Sequence, residues 1–316
     1  MRKFIIKLIL VISPFIIIAL TMEYILRQIP NDYMYKSDYL DEHSNEVEVL
    51  ILGGSHSYYG INPDYLTAKA FNAGYVSQPL NIDLMILEKY QDNFENLKTI
   101  IIPVSYPSLW TKLDKSAESW RIKNYVMYYK LKYVFSLQSH TEIVGNNFNT
   151  NVRRLKNHYI GGRSYITCNK SGWGADYNSK FALDLDKTGK EAASRHSTEN
   201  FSMPKSERES NYKDNISILN NITNWALERN VEVILITTPG YKIYRENLNE
   251  VQLAAIMEIS AQLSEKYSNC RYINLLNESS FGAEDYYDAD HLNEKGAEKL
   301  SLLINDILQN EKGLDY

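Results

Sequence analysis

The alternation of short apolar runs with longer helical patterns constrains this chain more than any other feature. VEVLIL (47–52), AFNA (70–73), KTIIIPVS (98–105), VEVILITTP (231–239) and RYINLL (271–276) are each too short for a stable helix, and the first, third and fourth are rich in β-branched residues. Between them, residues 80–97, 212–228, 250–267 and 293–309 carry apolar side chains at helical spacing, and Asn62-Pro63-Asp64 offers an N-cap followed by proline at the first helical position. Strands that are apolar on both faces need cover on both faces, and helical crossovers between parallel strands supply it. The expected fold is therefore α/β, a flavodoxin-like, doubly wound five-stranded parallel sheet. Residues 107–208 break the rhythm: they follow the third strand, where a short loop would suffice, and are rich in Tyr, Asn, Ser and charge. They read as a large insertion, partly helical over about 119–137, and a candidate lid or substrate wall.

The amino terminus is a separate problem. Residues 4–25, FIIKLILVISPFIIIALTMEYI, form an apolar run of the ~20 residues that a bilayer-crossing helix needs, with Arg2 and Lys3 in front. The run is longer than the apolar core of a signal peptide and no small-x-small cleavage site follows, so an uncleaved anchor is expected rather than a signal. An amphipathic surface helix is disfavoured because no polar face is present. Basic residues before the span place the rest of the chain outside the cytoplasm, which predicts a single-pass cell-membrane protein. The expected organisation is an anchor over 1–29, a polar linker over 30–45, the sheet domain over 46–310 and a tail over 311–316.

A formal net charge of -5 argues against binding a nucleic-acid backbone or an anionic lipid surface. Cys168 and Cys270 are too few for a disulfide framework or a metal cluster; unpaired thiols are favoured, with one bridge between them left open.

Ligands of open parallel sheets bind outside the carboxyl ends of the strands. The first strand ends in Leu52-Gly53-Gly54-Ser55-His56-Ser57, where two glycines permit a tight strand-to-helix turn with Ser55 at its tip as a candidate nucleophile. Gly-Gly-Ser also closes plain turns. At the other end, the last strand's loop leads into Asp288-Ala289-Asp290-His291-Leu292 just before the final helix. His291 there is placed to act as general base on Ser55, and Asp288 to hold the imidazole tautomer. A helix-capping role for His291, and a solvated acidic turn or cation site for Asp288 and Asp290, are the alternatives. His56, Tyr106 and Trp110 are candidate substrate contacts. Trp110, Trp120, Trp173 and Tyr177 suit either sugar stacking or packing of the insertion, and His196 either substrate contact or plain surface. The histidines show no H-x-x-x-H spacing and the cysteines no C-x-x-C, so neither metal nor cofactor is expected.

Gly53-Gly54-Ser55-His56-Ser57 and Asp288-Ala289-Asp290-His291-Leu292 resemble the first and last blocks of the SGNH (GDSL-like) hydrolase superfamily. The resemblance implies a triad of Ser55, Asp288 and His291, and an oxyanion hole drawing on the N–H groups of Ser55 and, from Phe71-Asn72-Ala73-Gly74, of Gly74. The family's third block supplies an asparagine, but Pro103-Val104-Ser105-Tyr106-Pro107 stands here, making Ser105 the positional replacement. One amino-terminal anchor followed by an external domain of this kind is also similar to accessory proteins of cell-surface acylation, such as those of teichoic-acid D-alanylation and alginate-type O-acetylation. That likeness implies an esterase or O-acyltransferase acting through acyl-Ser55 on a cell-surface glycan, with a multispanning membrane-bound O-acyltransferase as partner. A non-catalytic scaffold serving such an acyltransferase is the alternative.

Overall fold

The computed structural model describes residues 1–309, and their contacts divide them into two compact units. The larger holds Tyr39–Glu118 and the chain from Cys168 onward; the smaller holds Met1–Asp38 and Ser119–Thr167. The expected tail, 311–316, lies outside the described residues.

The larger unit is built on five parallel strands: β1 Val49–Ile51, β2 Ala70–Asn72, β3 Thr99–Pro103, β4 Glu232–Thr237 and β5 Cys270–Asn274. Their order is β2-β1-β3-β4-β5, the expected doubly wound arrangement, so the strand order reverses between β1 and β3. The central strands are buried on both faces, which is why their runs read as continuous apolar stretches rather than alternation. Helices Lys205–Leu227, Glu250–Lys266 and Glu294–Gln309 match the sequence pattern, while Leu80–Tyr90 stops seven residues before the apolar spacing does.

Two features of this unit position the site. Leu300, Ile304 and Ile307 of the final helix pack with Val49, Ile51 and Ile61, each contributing about 1.5–3 kcal/mol by burial. The same helix accepts the Asn62 N–H on Ser301 Oγ and the Thr67 N–H on Asn305 Oδ1, both at 2.8 Å. The second feature is a short antiparallel hairpin, β6 Tyr286–Asp288 with β7 His291–Leu292, whose register is interrupted by a bulge. Strands of three and two residues are too short to leave an alternation in the sequence.

The smaller unit carries the apolar helix Arg2–Arg27, 26 residues long and apolar enough to cross a membrane. Its last turns belong to the folded unit: Leu26 is buried, and Glu23 accepts the N–H groups of Glu142 and Ile143 at 3.0 Å each. The stretch 30–45, expected as a polar linker, is mostly the helix Asp32–His43, along which the smaller unit ends at Asp38 and the larger begins at Tyr39. Asn31 Oδ1 accepts the Met34 N–H at its start, and Tyr33, Lys36, Ser37 and Leu40 are all buried. Polar residues at buried positions hid this helix from a search for apolar spacing.

The insertion is divided as well. Residues 119–167 group with the apolar helix, and only 107–118 and 168–208 remain with the sheet. The stretch 119–137 is partly helical, as expected, with short helices at Ser119–Arg121 and Ile122–Met127, and Lys130 adopts φ 57° after the second of them. The packing of this region centres on Glu142, fully buried and bonded by Lys123 at 2.6 Å, Arg154 at 2.5 Å and the Tyr128 hydroxyl at 2.6 Å. Burial opposes ionisation, but Arg154 and Lys123 outweigh it and hold the carboxyl down at about 2.

Candidate functional site

Ser55 opens the short helix Ser55–Gly60, directly after the β1 turn. Gly53 adopts φ 102°, a conformation that side chains rarely take, and its N–H is donated to Asp83 Oδ1 at 2.9 Å. Gln78 donates to the same oxygen at 2.6 Å, so the loop after β2 clamps the turn that presents Ser55. Asp83 is fully buried, and burial pushes its carboxyl up to about 7 against the lowering effect of those two hydrogen bonds.

The hairpin turn Asp288-Ala289-Asp290-His291 organises the other half. Asp288 Oδ1 accepts the backbone N–H groups of Asp290 at 3.2 Å and His291 at 2.9 Å, an aspartate turn closed on itself. The same oxygen lies 2.9 Å from His291 Nδ1, and His291 Nε2 lies 2.8 Å from Ser55 Oγ. Asp288, His291 and Ser55 thus form one hydrogen-bonded chain across 236 residues. With Nδ1–H donated to the carboxylate, Nε2 is the atom that can receive the serine proton.

A second carboxylate stands beside that chain. Asp290 is buried, neither of its side-chain oxygens has a hydrogen-bond partner, and it lies 3.5 Å from His291 Nδ1 on one side and 3.5 Å from His196 Nδ1 on the other. Burial works against charge on His291, but Asp290 and then Asp288 outweigh it, and its pKa is raised to about 10. His56 and His196 go the other way: burial first, then neighbouring positive charge, lowers them to about 3 and about 4. The positive charge of this cluster therefore sits on His291.

Of the candidate substrate contacts, His56 is in the site, its ring stacked on that of His291 with centroids 4.9 Å apart. Tyr106 lines a small cavity with His56 and Asp290 but is buried among Ala192, Ala193 and Tyr244, and its hydroxyl accepts the Asn249 N–H at 2.9 Å. Trp110 stacks on Tyr212 at 5.2 Å and packs the insertion, like Trp173, whose indole N–H is donated to the Tyr59 carbonyl at 2.7 Å. Three residues left with open alternatives in the sequence, Tyr177, Asp290 and His196, stand around His291 instead. Tyr177 stacks between Tyr59 and Tyr287 and turns its edge to His291 at 5.5 Å. Asp290 and His196 complete the wall; His291 lies 95 residues after His196 and 235 after His56, so no local spacing marks the three histidines.

Beside Ser55 lies a cavity of about 200 Å³, with His56, Ser105, Ser108 and His196 on its walls. Ser105 is where its position predicted, but its N–H is donated to Ser108 Oγ at 2.9 Å and the two hydroxyls are 2.9 Å apart. Two hydroxyls sharing one mutual bond leave one proton to donate elsewhere. The oxyanion role expected of Gly74 is corrected: its N–H is donated to Asn72 Oδ1 at 3.0 Å. A Cβ there would fall 2.6 Å from Ser57 Oγ and 2.8 Å from the Gly53 carbonyl, so this glycine lets two turns approach closely. Asn72 is the centre of that packing, since its fully buried amide also donates to the Ser57 and Ile61 carbonyls at 2.7 and 2.8 Å. Asn72→Ala should cost about 1–3 kcal/mol in chemical denaturation, because it strands buried polar groups on both sides of the Ser55 helix.

His56, Asp290 and His291 place ligand atoms within 4.8 Å of one another. Both nitrogens of His291 are already committed, to Asp288 and to Ser55, so the group reads as an imidazolium and its counter-ion rather than a metal site. Both cysteines are free thiols.

No protein-family model matches the chain, and neither does any curated protein. Among solved structures, it is similar to a Streptococcus pneumonia protein provisionally described as a platelet activating factor, at 11% identity and a TM-score of 0.41 over 95% of this chain and 98% of the other. It is also similar to a Bacteroides fragilis protein provisionally described as an acylhydrolase, at 10% identity and a TM-score of 0.39 over 87% and 96%.

Proposed function

We propose that this protein is a membrane-anchored serine esterase or O-acyltransferase of the SGNH type, working through an acyl-Ser55 intermediate. The observation that carries the reading is the unbroken Asp288–His291–Ser55 hydrogen-bonded chain beside a cavity. His291 Nε2 takes the serine proton as Oγ bonds to the ester carbonyl carbon; the resulting tetrahedral oxyanion collapses, the ester C–O bond breaks, and the imidazolium returns the proton to the leaving alkoxide. Water or a glycan hydroxyl then attacks the acyl-enzyme by the same steps in reverse. The Ser55 N–H, at the start of its helix, and the spare proton of the Ser105–Ser108 pair are the oxyanion donors this geometry leaves.

The anchor belongs to the same proposal. Removal of Arg2–Arg27 as a signal would excise buried Leu26 and the Glu23 carboxylate that caps residues 142–143, so the helix is retained as a span with the remainder extracytoplasmic. In that setting a cell-surface glycan is the acceptor and a multispanning membrane-bound O-acyltransferase the acyl donor's source. The commitment of the Gly74 and Ser105 N–H groups favours one other reading, a scaffold with little turnover of its own. Full-length protein incubated with p-nitrophenyl acetate separates them. Acetyl-Ser55 in the mass spectrum, absent from His291→Ala, is the expected result; unmodified Ser55 in folded protein would support the scaffold.

A further inference from the structure

We propose that the face formed by residues 134–160 of the smaller unit lies in the lipid headgroup boundary, at the end of the bilayer span made by Arg2–Arg27; the inference rests on that helix being a span. Phe135, Leu137, Phe148 and Ile160 are exposed by 71%, 62%, 69% and 81% within one 27-residue stretch, a density of bare apolar side chains that a water-facing surface does not tolerate. This stretch is fastened to one end of the apolar helix. Arg27 donates to the His140 carbonyl at 2.6 Å, the Tyr159 hydroxyl donates to the Ile25 carbonyl at 3.0 Å, and Glu23 caps residues 142–143. Tyr24 and Ile25 share an apolar cavity of about 600 Å³ with Val152, Leu155, Tyr159 and Ile160. At ~1.5 Å per residue, residues 4–25 cover about the ~30 Å of the hydrocarbon layer, which puts Ile25 and its cavity at the layer's edge.

Charge selects the occupant. In a chain of net charge -5, the stretch 134–160 has a single acidic residue, Glu142, and that one is buried against Lys123 and Arg154. Arg153 and Lys156 remain alongside the apolar side chains of the helix Phe148–Leu155 and the turn after it. Bare apolar side chains rimmed by cations, with tyrosine at the margin, fit acyl chains under phosphate headgroups. The overall negative charge had argued against a lipid surface; the structure gathers a locally positive one.

The test uses the full chain in phosphatidylcholine vesicles containing phosphatidylglycerol, with an environment-sensitive label at Phe148→Cys or Ile160→Cys, and at Val251→Cys as an exposed site in the other unit, all in a Cys168→Ala background. Lipids brominated near the headgroup should quench the labels at 148 and 160 by half or more and leave the label at 251 nearly unchanged. Equal, weak quenching at all three positions in protein that floats with the vesicles would overturn the inference while sparing the span. Failure to float would overturn both. Protection of 148 and 160 only when another membrane protein is co-purified would also overturn it, in favour of a protein partner.

Discussion

Ser55→Ala is expected to bring ester turnover down to the level of buffer, a loss of about 10⁴-fold or more. His291→Ala should lose a similar factor, and the double variant no more than either alone, because nucleophile and base act on one proton. Without Nε2 at 2.8 Å the serine keeps its proton, and without Oγ the imidazole has nothing to activate. The measurement is kcat/KM for p-nitrophenyl acetate, with thermal melts to show that each variant is folded. Ser55 is half-buried at a helix start and its hydroxyl bonds only within the site, so the alanine variant should melt close to the parent. A Ser55→Ala variant that keeps a tenth of the parent activity would rule out an acyl-Ser55 intermediate.

Asp290→Asn is expected to change the pH profile more than any other substitution in the site. The base must be neutral to accept the serine proton, and two carboxylates hold His291 charged, so the parent's kcat/KM should climb with pH along a limb well above the ordinary histidine range. Removing the Asp290 charge leaves Asp288 as the only carboxylate on Nδ1 and lowers the proton affinity of His291. The limb then moves to lower pH, and since each pH unit of displacement is a factor of ten in free base, neutral-pH activity should rise by about tenfold or more provided the ring stays in place. Stability should move in the opposite sense. A group whose pKa is raised on folding stabilises fully below its unfolded value near 6.5 and loses that contribution as pH rises toward 10, so the variant should be less stable than the parent at pH 6 and converge on it at pH 10. A pH limb unchanged by Asp290→Asn would mean that Asp290 does not act on His291 at all. Glu142 shows why such a buried carboxylate is not automatically functional: it is equally buried, but its Lys123 and Arg154 partners are both hydrogen-bonded to it.

Sequence alone determined the large pattern. Apolar runs with helical connections dictate a parallel sheet because no other arrangement covers both faces of such strands, and residues at the carboxyl ends of β1 and of the last loop were legible because that edge is where a doubly wound sheet leaves side chains unpacked. Ser55, Asp288 and His291, which the structure joins by hydrogen bonds, were singled out by that logic, and the apolar helix by its length and composition. What needed the tertiary structure were roles set by partners distant in the chain. Gly74 and Tyr106 carry plausible chemistry in sequence, yet Asn72 and Asn249 occupy them. Asp290 looks like any acidic turn residue until β6 and β7 fold it inward between His196 and His291. The helix Asp32–His43 and the division of the insertion were hidden for a related reason: their cores contain Lys36, Ser37 and Glu142, polar residues whose burial depends on contacts made across a hundred residues or more in the case of Glu142 and Glu23. Periodicity reports which side chains water rejects; it is silent about polar groups that the fold itself satisfies.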